Sequence, residues 1–138
     1  MVDTSLSGFE EKEHTADCKL KVWGQDFPQL LTMAAVGMYA LMGLQLEKEP
    51  RLERSFRIAF SDPEDLLVSF LNELLYYIEL EELGFDRFEL KIDDRELTAR
   101  VFGSYIASLS KEIKAVTYHN LKIEHSSRGL EAVIVFDV

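Results

Sequence analysis

Asp17 and Asp137 each stand directly against an apolar, strand-like run, where a solvated carboxylate is not the default. Asp17 closes the quartet His14-Thr15-Ala16-Asp17 and leads into Cys18, Leu20 and Val22, which alternate with Lys19 and Lys21. Asp137 follows Val133-Ile134-Val135-Phe136 and precedes Val138. Hard cations such as Ca²⁺ and Mg²⁺ take several oxygen ligands, carboxylates foremost, drawn from separate segments. A C-terminal carboxylate on Val138 would lie within reach of anything Asp137 binds. Carboxylates held close also repel one another unless a cation joins them. No local feature brings residues 17 and 137 together, so two readings stand. One is a shared cation site; the other is a pair of strand-end acids that contact water.

His14, three residues before Asp17, has the chemistry of a metal ligand, a general base or a hydrogen-bonding anchor. No spacing of Ser, Cys and His forms a nucleophile triad, and there is no P-loop, GxGxxG or CxxC. No catalytic residue is therefore assigned. Cys18 shares its parity with Leu20 and reads as a small buried hydrophobe. Lys114 opens the largely apolar and aromatic run Ala115-Val116-Thr117-Tyr118 and could reach a phosphate or an acid, or remain solvated. The acids Glu79, Glu81, Glu82 and Asp86 read as a solvated helix end.

The elements that must position these groups follow from periodicity. Cys18 to Gly24 alternates as a half-buried strand. The stretch from Asp26 to Gly43 reads as a helix, with Asp26 as N-cap, Pro28 in the first turn and Gly43 as its stop. Phe56, Ile58 and Phe60 mark a second strand. Ser61-Asp62-Pro63-Glu64-Asp65 then starts a second helix: a capping oxygen, a proline suited to the first turn and two acids at the positive end of the dipole. Its core stripe runs through Leu66, Leu67, Phe70, Leu71, Leu74, Leu75 and Ile78, with Gly84 as the expected stop. Phe88 to Ile92 and Leu97 to Val101 form an expected hairpin around Asp93-Asp94-Arg95-Glu96. No pattern settles 104–113. The apolar parity changes near His119-Asn120, which predicts a bulge or a loop there. Four consecutive apolar residues, Val133 to Phe136, predict a last strand covered on both faces. The expected fold is α+β, two main helices packed on antiparallel β-sheet in a single domain spanning 1–138.

Composition bounds the function. The 138 residues carry 15 basic and 25 acidic side chains, a net charge of -10, with 47% hydrophobic residues. Gripping a phosphate backbone relies on clustered Lys and Arg, so direct nucleic-acid binding is disfavoured. Cation binding, docking to a basic partner, and simple solubility all suit this charge. One cysteine excludes an internal disulfide and points to a reducing compartment. With neither a secretory leader nor a membrane span in the pattern, the expected location is cytoplasmic. The apolar stripes of both helices suit either a core or a homo-oligomer interface.

Four blocks of the chain are similar to the archease family, in the family's order. They are Phe9 with Glu13-His14-Thr15-Ala16-Asp17, Leu66-Leu67 with Phe70 to Leu75, Ile113 to His119, and Phe136-Asp137-Val138. Archeases assist the GTP-dependent tRNA-splicing RNA ligase, promoting guanylylation of its active-site histidine and multiple turnover; the family is not known for catalysis of its own. The resemblance implies a divalent cation, calcium, held by Asp17, Asp137 and Val138, the last through a backbone or terminal oxygen. It makes Lys114 and His14 the candidates for contact with the ligase. One departure is Gly103-Ser104, where the family often has Gly-Glu. If that glutamate serves the interaction surface, partner preference changes while the cation site does not. Two further readings compete: a general chaperone or assembly modulator, and a metal-dependent hydrolase using His14, Asp17 and Asp137.

Overall fold

The computed structural model describes residues 6–12 and 18–138. Among these residues are two helices and nine strands, in the order β1 (Gly8–Lys12), β2 (Cys18–Gly24), α1 (Phe27–Met42), β3 (Gln45–Leu46), β4 (Leu52–Ala59), α2 (Pro63–Glu81), β5 (Leu83–Asp93), β6 (Glu96–Ser108), β7 (Ala115–Thr117), β8 (Glu124–Ser126) and β9 (Gly129–Asp137). Every strand pairing is antiparallel. One sheet runs β1-β2-β9-β7 with β8 also on β9; the other has β6 at its centre, β3 and β4 on one path and β5 paired alongside. The α+β class expected from the pattern is what the chain adopts.

Each helix begins where its capping chemistry dictates. Asp26 caps α1 by accepting from the Gln29 N–H at 2.9 Å, and Asp62 caps α2 by accepting from the Asp65 N–H at 2.8 Å. Asp62, rather than Ser61, is the cap of α2. Gly43, left-handed at φ 63°, ends α1 as expected, but α2 ends two residues earlier than Gly84 would have it. Glu82 takes the left-handed position there, at φ 55°, and Gly84 already lies in β5. The chain spends Gly84 elsewhere: Gly103, opposite Phe85, has room for no side chain, because a Cβ on it would sit 1.8 Å from the Gly84 carbonyl oxygen. That close approach accompanies a β-bulge, with Asp86 as the extra residue between Phe85 and Arg87.

The inner faces of both sheets and the stripes of both helices share one apolar core. Leu20 and Val22 of β2 and Ile134 and Phe136 of β9 meet α1, while Leu97, Ala99 and Val101 of β6 face the side of α2. β4 begins earlier than Phe56, at Leu52, so that alternate residues Leu52, Phe56 and Ile58 pack inward. The expectation of a last strand covered on both faces holds only in part. Ile134, Val135 and Phe136 are buried, but Val133 is 38% exposed. The acids at and beyond the end of α2 are not simply solvated either: Glu81 pairs with Arg54 at 2.7 Å, and Asp86 takes both terminal guanidinium nitrogens of Arg51. Half-exposed pairs of this kind contribute at most about 1 kcal/mol each. The first ties β4 to the end of α2, and the second ties the residue before β4 to β5.

Ser104 is the buried polar side chain of the described core, its hydroxyl donating to the Pro50 carbonyl at 2.7 Å. In this fold the position after Gly103 is interior, and no glutamate is presented to a partner from it. The Gly103 geometry yields a direct test. Gly103→Ala should destabilise the protein by about 2 kcal/mol or more, read as a lower urea midpoint at unchanged slope, since overpacked sites cannot relax against backbone. An unchanged midpoint would show that the bulge yields to a methyl group.

Candidate functional site

Asp137 lies at the end of the central strand of its sheet. One residue before it, Phe136 is fully buried and pairs with Cys18 on β2 and Val116 on β7. The strand is thus gripped from both sides immediately before its acid. Asp137 pairs with Ala115, and its carbonyl accepts the Lys114 N–H at 2.8 Å. The Asp137 carboxylate is exposed and makes no hydrogen bond or ion pair among the described residues; Val138 is 43% exposed beside it. The structure therefore brings two of the expected site residues together at one end of the sheet, Asp137 on β9 and Lys114 just before β7, with Val138 next in the chain. His14 and Asp17 lie outside the described residues. The described residue next to Asp17 in the chain is Cys18, which pairs with Phe136, the neighbour of Asp137.

No group of three or more His, Cys, Asp or Glu residues suited to a metal ion occurs among the described residues. What Asp137 and Val138 offer is an exposed carboxylate, unpartnered among the described residues, and main-chain oxygens, the donor type a hard cation takes. Cys18 is buried, as its parity predicts, with the Lys111 ammonium 3.7 Å from its sulfur. Lys114 is exposed, and its side chain lines a cavity of about 520 Å³ together with Ile78, Glu79, Leu109 and Glu112.

The short strand β7, which carries Val116 against Phe136, is held from the other side by α2. The Asn72 side-chain oxygen accepts the Val116 N–H at 3.1 Å, replacing a partner strand on that edge. The Tyr118 hydroxyl donates to Asp65 at 3.1 Å, and the Glu64 carboxylate accepts the Ile123 N–H at 2.8 Å. The parity change near His119-Asn120 resolves as a turn: Leu121 N–H donates to the Tyr118 carbonyl, and Asn120 is left-handed at φ 52°. Sequence reasoning missed these anchors. The visible signal is Asn72, a half-buried polar residue directly after the buried Phe70 and Leu71 of α2.

Asp65 accepts from the Ser61 N–H and from the hydroxyls of Tyr118, Ser61 and Ser69. Foremost the Ser61 N–H, and with it those hydroxyls, hold the Asp65 carboxyl below the usual carboxylate range against an opposing push from desolvation. A depressed folded-state pKa contributes stability that is present above the unfolded value and is lost as pH falls through the folded one. The Asp65 contribution should therefore be intact at neutral pH and disappear as the solution is acidified below about pH 4. Asp65→Asn should flatten the fall in melting temperature below that pH. A fall as steep as that of the parent would place the acid sensitivity elsewhere.

Comparison with known proteins places these features in a family. A family model described as the Archease protein family matches residues 9–138. The protein archease of Methanosarcina mazei is 34% identical over 140 residues, covering 94% of this chain and 95% of its own length. That of Sulfurisphaera tokodaii is 31% identical over 139 residues, covering 96% of this chain and all of its own. Among solved structures, a Thermotoga maritima protein described as an archease and possible chaperone superposes with a TM-score of 0.71 at 28% identity, over 94% of this chain and 96% of its own. The solution structure of protein 1598 of Methanobacterium thermoautotrophicum gives a TM-score of 0.73 at 27% identity, over 95% and 99% respectively.

Proposed function

The chain belongs to the archease family, and on that footing we propose that it is a non-enzymatic activator of a GTP-dependent tRNA-splicing RNA ligase. It works in the cytoplasm, promoting guanylylation of the ligase and so sustaining turnover. A divalent cation, calcium, is held by the carboxylates of Asp17 and Asp137 with an oxygen of Val138. His14 and Lys114 form the rim that meets the ligase.

The observation that carries this reading is the end of β9. Asp137 projects a carboxylate without a partner among the described residues, one residue beyond the pairing of Phe136 with Cys18 and beside Lys114, the residue that precedes β7. Two segments far apart in sequence thus approach one acid, and the donors are hard oxygens suited to calcium. When bound, the cation would supply a concentrated positive charge in an otherwise acidic protein, available to phosphate or carboxylate oxygens of a partner. This chain's own residues do the positioning: Phe136 and Val116 fix the strand, and Lys114 adds a cation next to it. The hydrolase reading rests on His14, Asp17 and Asp137 and has against it the lack of a recognised nucleophile–base spacing in the sequence. The chaperone reading draws on the possible chaperone role stated for the Thermotoga maritima relative, and on the exposed apolar side chains Leu80 and Leu109. Among the described residues no helix is long and apolar enough to cross a membrane.

Guanylylation of the cognate ligase, with GTP and manganese, measures the activity directly. The wild-type chain should accelerate it. Asp137→Ala should remove the acceleration, and Lys114→Ala should cut it by about tenfold, with circular dichroism unchanged in both. Undiminished acceleration by the Asp137 variant would overturn the cation-dependent part of the proposal. No acceleration by folded wild type, with protection of an unrelated client from aggregation, would favour the chaperone reading.

A further inference from the structure

A second recognition element lies on α2, away from the end of β9. Ser69, Asn72, Glu73 and Tyr76 recur at the helical spacing of three and four and so share one face of α2. With Val116 and Tyr118 they line an open cleft of about 420 Å³ between the helix and β7. Two aromatic rings stand unusually bare at it: Tyr76 is 53% and Tyr118 56% exposed. Tyr118 is nonetheless fixed, because its hydroxyl is tied to Asp65 at 3.1 Å. The Asn72 side-chain oxygen is committed to the Val116 N–H, so its amide nitrogen carries the free donors. Glu73 makes no hydrogen bond or ion pair among the described residues, and no cationic side chain lines the cleft. Asp65 adds further negative charge behind Tyr118.

Carboxylate, exposed tyrosine faces and the absence of a resident cation together describe a receptor for a planar cation. A guanidinium can stack on an aromatic ring while donating to a carboxylate in its own plane; an ammonium does only part of this. We propose that this cleft binds an arginine side chain presented by a protein partner, with Glu73 as its carboxylate, Tyr76 and Tyr118 as its stacking faces, and the Asn72 amide donating to a main-chain carbonyl beside that arginine. The surroundings choose between sources. A free amino acid would bring its own carboxylate toward Glu73 and Asp65, and a nucleotide would bring phosphates to a chain of net charge -10. An arginine within a polypeptide brings neither. The site does not depend on the ligase reading, since it lies on other residues and asks only for an arginine on the partner's surface.

Titration of the ¹⁵N-labelled full chain with N-acetylarginine amide tests this. Saturable shifts are expected at the Asn72 side-chain amide and the Val116 N–H, in the millimolar range for a single anchor. Glu73→Gln should weaken binding by about tenfold or more, the scale of one charge-assisted hydrogen bond. Tyr76→Ala should weaken it several-fold, and the spectra themselves report that both variants fold. N-acetyllysine amide should bind several-fold more weakly than the arginine probe. Three outcomes would overturn the proposal: no saturable shift at these residues, equal affinity for Glu73→Gln, or tighter binding of free arginine or guanosine than of the capped arginine.

Discussion

The pairing of β9 with a strand on each side is the constraint on which the rest of the structure depends. β9 runs between β2 and the short strands β7 and β8, and its residues Ile134 to Phe136 are buried. Strand register has a period of two, so a slip of one residue would turn Phe136 outward and carry Asp137 into the core. Burial of Phe136 therefore sets where Asp137 points. Deleting a buried aromatic side chain of this size costs about 3 to 5 kcal/mol, a large part of a typical domain's stability. An acid placed one residue beyond such an anchor is held at the strand end by its backbone, with no side-chain bond among the described residues.

The helices complete that constraint rather than merely covering it. β7 has only three residues, too few to hold an edge by ladder bonds alone. It is kept in place by Asn72, and the loop after it by Glu64 and Asp65 near the start of α2. The same helix thus fixes the Lys114 side of the β9 end and builds one wall of the tyrosine cleft. Position along α2 separates its tasks: leucines and Phe70 face the core, while Asn72, Glu73 and Tyr76 face β7 and solvent.

Much of this was legible in the residues, for definable reasons. Both helices declared themselves through caps and an apolar stripe, because these are local devices that depend on neighbours within a turn. The β5–β6 hairpin was legible for the same reason, with Asp94 and Arg95 in left-handed conformation at its tip. β1 and β3 were not. The first has mostly exposed residues, and the second has two residues, so neither carries a period. The end of α2 at Glu82 rather than Gly84 was hidden because Gly84 answers to Gly103 across the sheet, a contact between residues far apart in sequence. The interior placement of Ser104 follows from that same pairing. The chemistry of Asp137 was readable from its type and its apolar neighbours; its proximity to Lys114 was not, because a strand order is not written locally.

Calcium binding tests the central claim most directly, that the end of β9 holds a cation through Asp137. The melting temperature of the metal-stripped full chain should rise with calcium in a saturable way, as a ligand that binds only the folded state requires. In Asp137→Asn, which keeps the side chain's size and removes its charge, that rise should be lost or should need at least about tenfold more calcium. An unchanged melting temperature in the wild-type chain, or an equal rise in the variant, would contradict the account.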